Sequence, residues 1–177
     1  MVKTVALGRL GEEGYGQVIC YPRCETGELA KRLSEMRELG VKALSFRGEK
    51  RIGNIRVLGK GCVGIVVLAQ TETGRAALKI RRTDADRAGM KREAEMLRIA
   101  NGVEVGPKLL GFTENLLMMK FVDGILLPGW IETLEEKEGA NLRVGRVLRD
   151  VLEQCWRLDE AGLDHGELSR ASKHIII

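Results

Sequence analysis

Leu58-Gly59-Lys60-Gly61-Cys62-Val63-Gly64-Ile65-Val66-Val67-Leu68-Ala69 is the stretch on which the fold turns. Glycines at G-x-G-x-x-G spacing let a phosphate approach the backbone, and two architectures use that spacing. In one, the glycines open a helix whose N-terminus holds a pyrophosphate. In the other, they turn a β-hairpin. Ile65-Val66-Val67-Leu68 decides between them, because such a run opens helices poorly and forms strands well. Ile55 to Leu58 is therefore a strand entering the glycines, and Ile65 to Ala69 is a strand leaving them. Thr71-Glu72-Thr73-Gly74 is a turn, and Ala76 to Ile80 is a third strand. Strand alternation places Ala77 and Lys79 on one face. Taken alone, Lys79 also reads as an ordinary exposed strand lysine.

Upstream, residues 1–51 read as an accessory region. Val2 to Leu7, Gln17 to Tyr21 and Val41 to Phe46 are predicted strands. Between the last two, Thr26 caps a helix on which Leu29, Leu33, Met36 and Leu39 recur until Gly40 ends it. Downstream, Asp84 or Asp86 is expected to cap a helix running to about Ala100, closed by Asn101-Gly102. Leu109 to Phe112 and Asn115 to Phe121 are a further strand pair. Arg143 to Leu163 is a long amphipathic helix with Val144, Val147, Leu148, Val151, Leu152, Cys155 and Leu158 on its apolar stripe.

The bulk properties exclude several classes. At 177 residues the chain can bury a core without disulfides or metal. No apolar run approaches the length that spans a bilayer, and no secretory-type start is present. Four scattered cysteines do not make an extracellular framework. These features predict a cytoplasmic protein without a membrane partner. Abundant Glu, Lys and Arg with few Asn and Gln is a bias associated with hyperthermophiles. The net charge of +4 comes from interspersed signs and is weak support for a nucleic-acid partner.

Leu58-Gly59-x-Gly61-x-x-Gly64-x-Val66 followed by Ala76-Ala77-Leu78-Lys79 resembles the glycine-rich loop and lysine strand of protein kinases. The resemblance implies an α+β, protein-kinase-like fold: an antiparallel five-stranded N-lobe with one lysine-partner helix, then the beginning of a helical C-lobe. It divides the chain into the accessory region 1–51, an N-lobe 52–119, and a hinge with partial C-lobe 120–177. It implies ATP and Mg2+ as cofactors. Leu58, Gly59, Gly61, Gly64 and Val66 would cover the nucleotide, Ala77 would leave room for adenine, and Lys79 would reach the α/β-phosphates. The lysine needs an acidic partner on the next helix. Glu93, three residues after Met90 and four before Leu97, borders the inward stripe, whereas Glu95 is rotated away by about 200°. Leu116 to Gly124 resembles the last strand and hinge, with Met119 behind adenine and Lys120, Phe121 and Val122 supplying backbone contacts.

Leu163-Asp164-His165-Gly166-Glu167-Leu168, followed by Ile175-Ile176-Ile177, resembles the catalytic loop. Its His-Gly-acid-Leu start is closer to RIO-type and aminoglycoside-phosphotransferase-like kinases, and the chain is similar to a group of small archaeal serine/threonine kinases. Glu167 then stands in the place of the catalytic aspartate and would take the proton of the acceptor hydroxyl. His165 would buttress the loop. The usual metal-binding asparagine is absent: Ser172 holds its place by spacing, and alignment on the strand puts His174 there. A kinase also needs an Asp-Phe-Gly-type aspartate after the strand begun at Ile175. Three isoleucines ending in mid-strand therefore predict a longer natural protein.

The expected activity is ATP-dependent phosphoryl transfer to a hydroxyl, on a serine or threonine of a protein. Alternatives on the same fold are a small-molecule phosphotransferase, a non-catalytic nucleotide-binding module, and an RNA-associated RIO-like factor. Cys20 and Cys24 lack the further ligands that a metal site needs. Cys62 is an accessible thiol without a base, and Met118, Met119 and Trp156 are read as core.

Overall fold

Buried backbone N–H and C=O groups need hydrogen-bond partners, and that requirement organises the sheet. The computed structural model describes residues 3–12, 14–86, 89–134, 138–164 and 174–177. In chain order the elements are β1 (Lys3–Ala6), a 3-10 turn (Leu7–Arg9), α1 (Gly16–Ile19), α2 (Thr26–Glu38), β2 (Val41–Phe46), β3 (Lys50–Ile52) and β4 (Ile55–Val57). There follow β5 (Gly59–Lys60), β6 (Gly64–Thr71), β7 (Gly74–Arg81), α3 (Lys91–Gly102), β8 (Leu109–Phe112), β9 (Leu116–Lys120), α4 (Leu127–Glu132) and α5 (Ala140–Glu160). The fold is mixed α+β. Two compact units divide it: Met1–Glu95 with Lys108–Phe121, and Met96–Pro107 with Val122–Ile177.

The first unit is built on an antiparallel sheet in the order β1-β2-β6-β7-β9-β8, with β5 also paired to β6. It has seven strands where five were expected. The glycine arm β5 pairs only with Ile65 and Val66 of β6. The outer edge of β6 beyond them would be left without hydrogen-bond partners, a cost no buried backbone sustains. β2 fills that edge, with Leu44 opposite Ala69 and Ser45 opposite Leu68. β1 and β2, from the region upstream of residue 52, lie in the same sheet and the same unit as β6. A small hairpin, β3 with β4, stands beside it.

Two local expectations differ from the structure. Gln17 to Tyr21 is not a strand, because Gly16–Ile19 forms one helical turn. Val18, Ile19 and Cys20 are all buried there, which an alternating strand does not allow. The helix expected from Asp84 or Asp86 begins only at Lys91. Gly89 takes φ 75°, outside the helical region, and the Met90 N–H donates to the Glu114 carbonyl before the first helical bond, Ala94 N–H to Met90 O.

One face of the sheet forms the main core, in which Ile65, Val67, Leu78, Ile80 and Leu116 meet Met36, Leu44 and Phe46. Tyr15 stacks on Phe46 with centroids 4.9 Å apart. Each such side chain contributes about 1.5–3 kcal/mol by leaving water. α2 is also tied to the sheet by buried polar groups. The Glu35 carboxylate accepts from Asn115 N (2.9 Å), Asn115 Nδ2 (2.7 Å) and the Thr113 hydroxyl. Arg81 Nε and Nη2 donate to Asn115 Oδ1 at 3.1 and 3.0 Å. Arg32, fully buried, donates through Nη1 to the Ile19 and Arg81 carbonyls, both at 2.5 Å.

In the second unit, residues 125–127 and 175–177 pair antiparallel around the bridge Leu126–Ile176. Arg157 of α5 donates to the Val103 carbonyl at 3.1 Å and lies 3.6 Å from the Glu104 carboxylate. The apolar stripe of α5 is present, but Leu152 and Trp156 are 70% and 67% exposed. Trp156 is thus not a core residue. Helical spacing shows which residues share a face and says nothing of whether that face is covered. Among the described residues, no helix is long and apolar enough to cross a membrane.

The Glu35 cluster yields a stability contrast between neighbouring positions. Asn115→Ala removes the side-chain donor to a buried carboxylate and the acceptor of Arg81, and is expected to cost about 2–4 kcal/mol. Glu114→Ala removes only an exposed partner of Lys31 (2.7 Å) and is expected to leave the denaturation midpoint unchanged. Equal midpoints for the two variants in urea unfolding would refute the assignment.

Candidate functional site

Register places the candidate side chains. Residues directly opposite in a ladder point to the same side. β6, β7 and β9 align Val66 with Lys79 and Leu117, and Leu68 with Ala77 and Met119. Intervening rows, including Val67, Leu78 and Met118, belong to the main core on the other side. Val66, Ala77, Lys79 and Met119 therefore share the face that α2 does not cover. α3 approaches this face: Lys79 Nζ lies 2.5 Å from Glu93 Oε1, with side chains 22% and 30% exposed. Glu95 points elsewhere and pairs loosely with Lys91 at 3.9 Å.

The glycines serve different needs. Gly64 is the constrained one. A Cβ there would stand 2.9 Å from the Ile80 carbonyl oxygen and 3.1 Å from Lys79 Cγ and Cε. The lysine stem lies in the space a side chain would occupy. A Cβ on Gly59 would touch Val66 Cγ2 at 3.4 Å, and one on Gly61 only the Gly64 oxygen at 3.7 Å. The hairpin closes through Gly61 N–H to Gly64 O and Leu58 N–H to Val66 O, both 2.9 Å. Cys62 at its tip is exposed.

Other predicted residues are arranged less simply. The Lys120 N–H donates to the Lys108 carbonyl at 2.8 Å, so this amide is engaged within the sheet. The Phe121 ring carries the Arg75 guanidinium at 5.3 Å and that of Arg47 at 6.0 Å. Val122 and His174 belong to the second unit, and both are exposed. Glu167 and His165 lie outside the described residues. Among the described residues, no three His, Cys, Asp or Glu side chains converge as metal ligands. An open cavity of about 570 Å³, lined in part by Arg81, Met90, Lys91, Thr113 and Glu114, includes neither Lys79 nor Glu93.

Sequence reasoning did not find Tyr21 and Arg82. The Tyr21 ring receives Lys60 Nζ at 4.6 Å and the Arg82 guanidinium at 5.0 Å. Arg82 also donates its backbone N–H to Val63 O (2.9 Å) and Nη1 to Gly61 O (3.2 Å). A hydrogen bond to Asp84 raises the Arg82 pKa, and the same bond holds the Asp84 carboxyl below its ordinary value. Arg81 and Arg82 are adjacent in the sequence, a pair of like charges that names no partner. Nothing local shows that Arg82 will meet a tyrosine far upstream.

Gly64→Ala is expected to destabilise the protein by about 1–3 kcal/mol, because the added methyl meets backbone that cannot move independently. Gly61→Ala is expected to be near neutral. Thermal denaturation of the two variants checks this, and equal losses would contradict the close approach of Lys79 to Gly64. No protein-family model matches the chain and no curated protein matches it, so the reading of this site rests on its own residues and geometry.

Proposed function

We propose that the Lys79 face binds ATP and that the protein is an ATP-dependent phosphotransferase acting on a serine or threonine hydroxyl. The observation that carries this reading is the ion pair of Lys79 with Glu93 beside a glycine hairpin. A strand lysine held by a helix carboxylate is pre-oriented, so its ammonium meets phosphate without first losing the freedom of a long side chain. Ala77 opposite Met119, with Val66 on the same face, offers partly exposed apolar surface of the kind that takes an adenine ring. Backbone amides of the Gly59 to Gly64 hairpin supply donors where side chains would block a phosphate.

In this proposal Lys79 holds the α- and β-phosphates and Glu93 positions Lys79. Glu167, outside the described residues, accepts the proton of the attacking hydroxyl as its oxygen bonds to the γ-phosphorus and the bond to ADP breaks. Magnesium prefers several hard oxygen ligands, and the exposed imidazole of His174 does not meet that preference. The described residues do not make a magnesium site, and no step is assigned to one.

Calorimetric titration with Mg-ATP tests the reading. The wild type is expected to bind, and Lys79→Ala and Glu93→Gln to bind about tenfold or more weakly, the effect of losing one charge-assisted hydrogen bond. Equal affinities in all three proteins would sink it. Binding without phosphate transfer to any serine or threonine peptide would retain the nucleotide site and remove the enzyme.

A further inference from the structure

Cys20 and Cys24 lie at the two ends of the connection between α1 and α2. Cys20 closes α1, its N–H donating to Gly16 O at 2.8 Å, and Cys24 lies just before Thr26, where α2 begins. Gly16 and Cys20, four residues apart on one helical turn, share a face, and the Cys24 sulfur lies against the Gly16 end of that face while both thiols are free. The Cys24 sulfur fits where it does because residue 16 is glycine: a Cβ there would stand 2.9 Å from Cys24 Sγ. Cys20 is fully buried, whereas Cys24 is exposed. Beside them is Arg32, whose Nη2 is buried without a hydrogen-bond partner among the described residues.

We infer that Cys20 and Cys24 form a reversible disulfide, and that its state is passed to the glycine hairpin through Tyr21. The oxidant is a low-molecular-weight disulfide such as oxidised glutathione. The exposed Cys24 thiolate attacks one reagent sulfur, the reagent S–S bond breaks, and one glutathione leaves as a thiolate that takes up a proton. Cys20 then gives up its proton and its sulfur attacks the Cys24 sulfur, expelling the second glutathione. Two protein thiols thereby lose two electrons and two protons to the reagent.

The order of attack follows from environment. Burial, then the Cys24 neighbour, pushes the Cys20 thiol up to about 12, so it is inert as a first nucleophile. The charge of Arg32 acts the other way and favours the Cys20 thiolate. Once Cys24 carries glutathione, its own charge no longer opposes ionisation of Cys20. The residues enclosed by the pair include Tyr21, whose carbonyl accepts from Thr83 N–H at 2.8 Å and whose ring holds Lys60 and Arg82. A covalent closure of 20–24 therefore bears directly on the side chains at both feet of the hairpin. This inference stands apart from nucleotide binding, and its test uses no ATP.

The full chain is equilibrated with oxidised glutathione, alkylated and cut with trypsin. Cleavage after Arg9, Arg23 and Lys31 puts the two cysteines on separate peptides, 10–23 and 24–31. The expected product is those peptides joined, short of two hydrogen atoms and separated by reduction. Cys62, exposed and distant in sequence, should carry glutathione alone. In Cys24→Ser, Cys20 is expected to stay unmodified. Glutathione on Cys24 with Cys20 still reduced would overturn the pairing. Hydrogen exchange supplies the second readout: amides of Lys60 to Gly64 are expected to differ between oxidised and reduced protein by on the order of threefold. The Tyr21→Ala variant should lose that difference. Identical exchange in the two wild-type forms would overturn the link to the hairpin.

Discussion

The register of β6 against β7 is the constraint on which the rest depends. Eight residue pairs, Gly64 opposite Arg81 through Thr71 opposite Gly74, fix every side chain of the two strands to one face or the other. A slip of one residue would move Lys79 into the apolar core and Leu78 toward Glu93. Two features pin the register. The turn at Gly74 sets one end. At the other, only a residue without a side chain can sit against the Ile80 carbonyl and the Lys79 stem, and that residue is Gly64. The glycine usually read as making room for a ligand is here also required by the protein's own packing.

With the register set, the sheet carries different material on its two faces. The α2 face is apolar over most of its area, yet its edge holds Arg32, Glu35, Asn115 and Arg81 in one hydrogen-bonded group. Removing any one partner leaves a buried charge or donor without its complement, whereas apolar contacts fail gradually. The polar group thus specifies where α2 lies along the strands, and the apolar area supplies most of the stability. On the other face Lys79 and Glu93 remain partly exposed. Screening by solvent makes such a pair a weak contributor to folding. Its arrangement is better explained by positioning of the ammonium than by stability.

The sequence was most legible where one residue's conformation or alternation decides the outcome. Ile65 to Leu68 identified a hairpin instead of a helix, and Met90, Glu93 and Leu97 identified which glutamate faces the lysine. It was less legible where long-range pairing decides. Nothing local in Val41 to Phe46 shows that it will complete the edge of β6, so the strand count came out at five instead of seven. Gln17 to Tyr21 has strand composition, but burial of three successive residues favours a helical turn. Gly89, whose left-handed φ delays α3 to Lys91, was not read as a helix breaker. On α5 the apolar stripe was readable, and the exposure of Trp156 was not.

The first fifty residues read as an accessory region because they carry no motif, but their contacts tie them into the sheet. β2 supplies the hydrogen bonds that the far half of β6 lacks, and Arg32 caps the carbonyl of Arg81 at the end of β7. Tyr21 lies against the two cations that flank the glycine hairpin, Lys60 in β5 and Arg82 just after β7. The face of an aromatic ring attracts a cation, so the Tyr21 ring helps to hold both. The conformation of the hairpin depends on what holds its feet. That support comes from the Tyr21 segment upstream and the Arg82 backbone downstream, both outside the glycine motif. A motif that reads as self-contained in sequence is, in the folded chain, the tip of a structure braced by residues with no signature of their own.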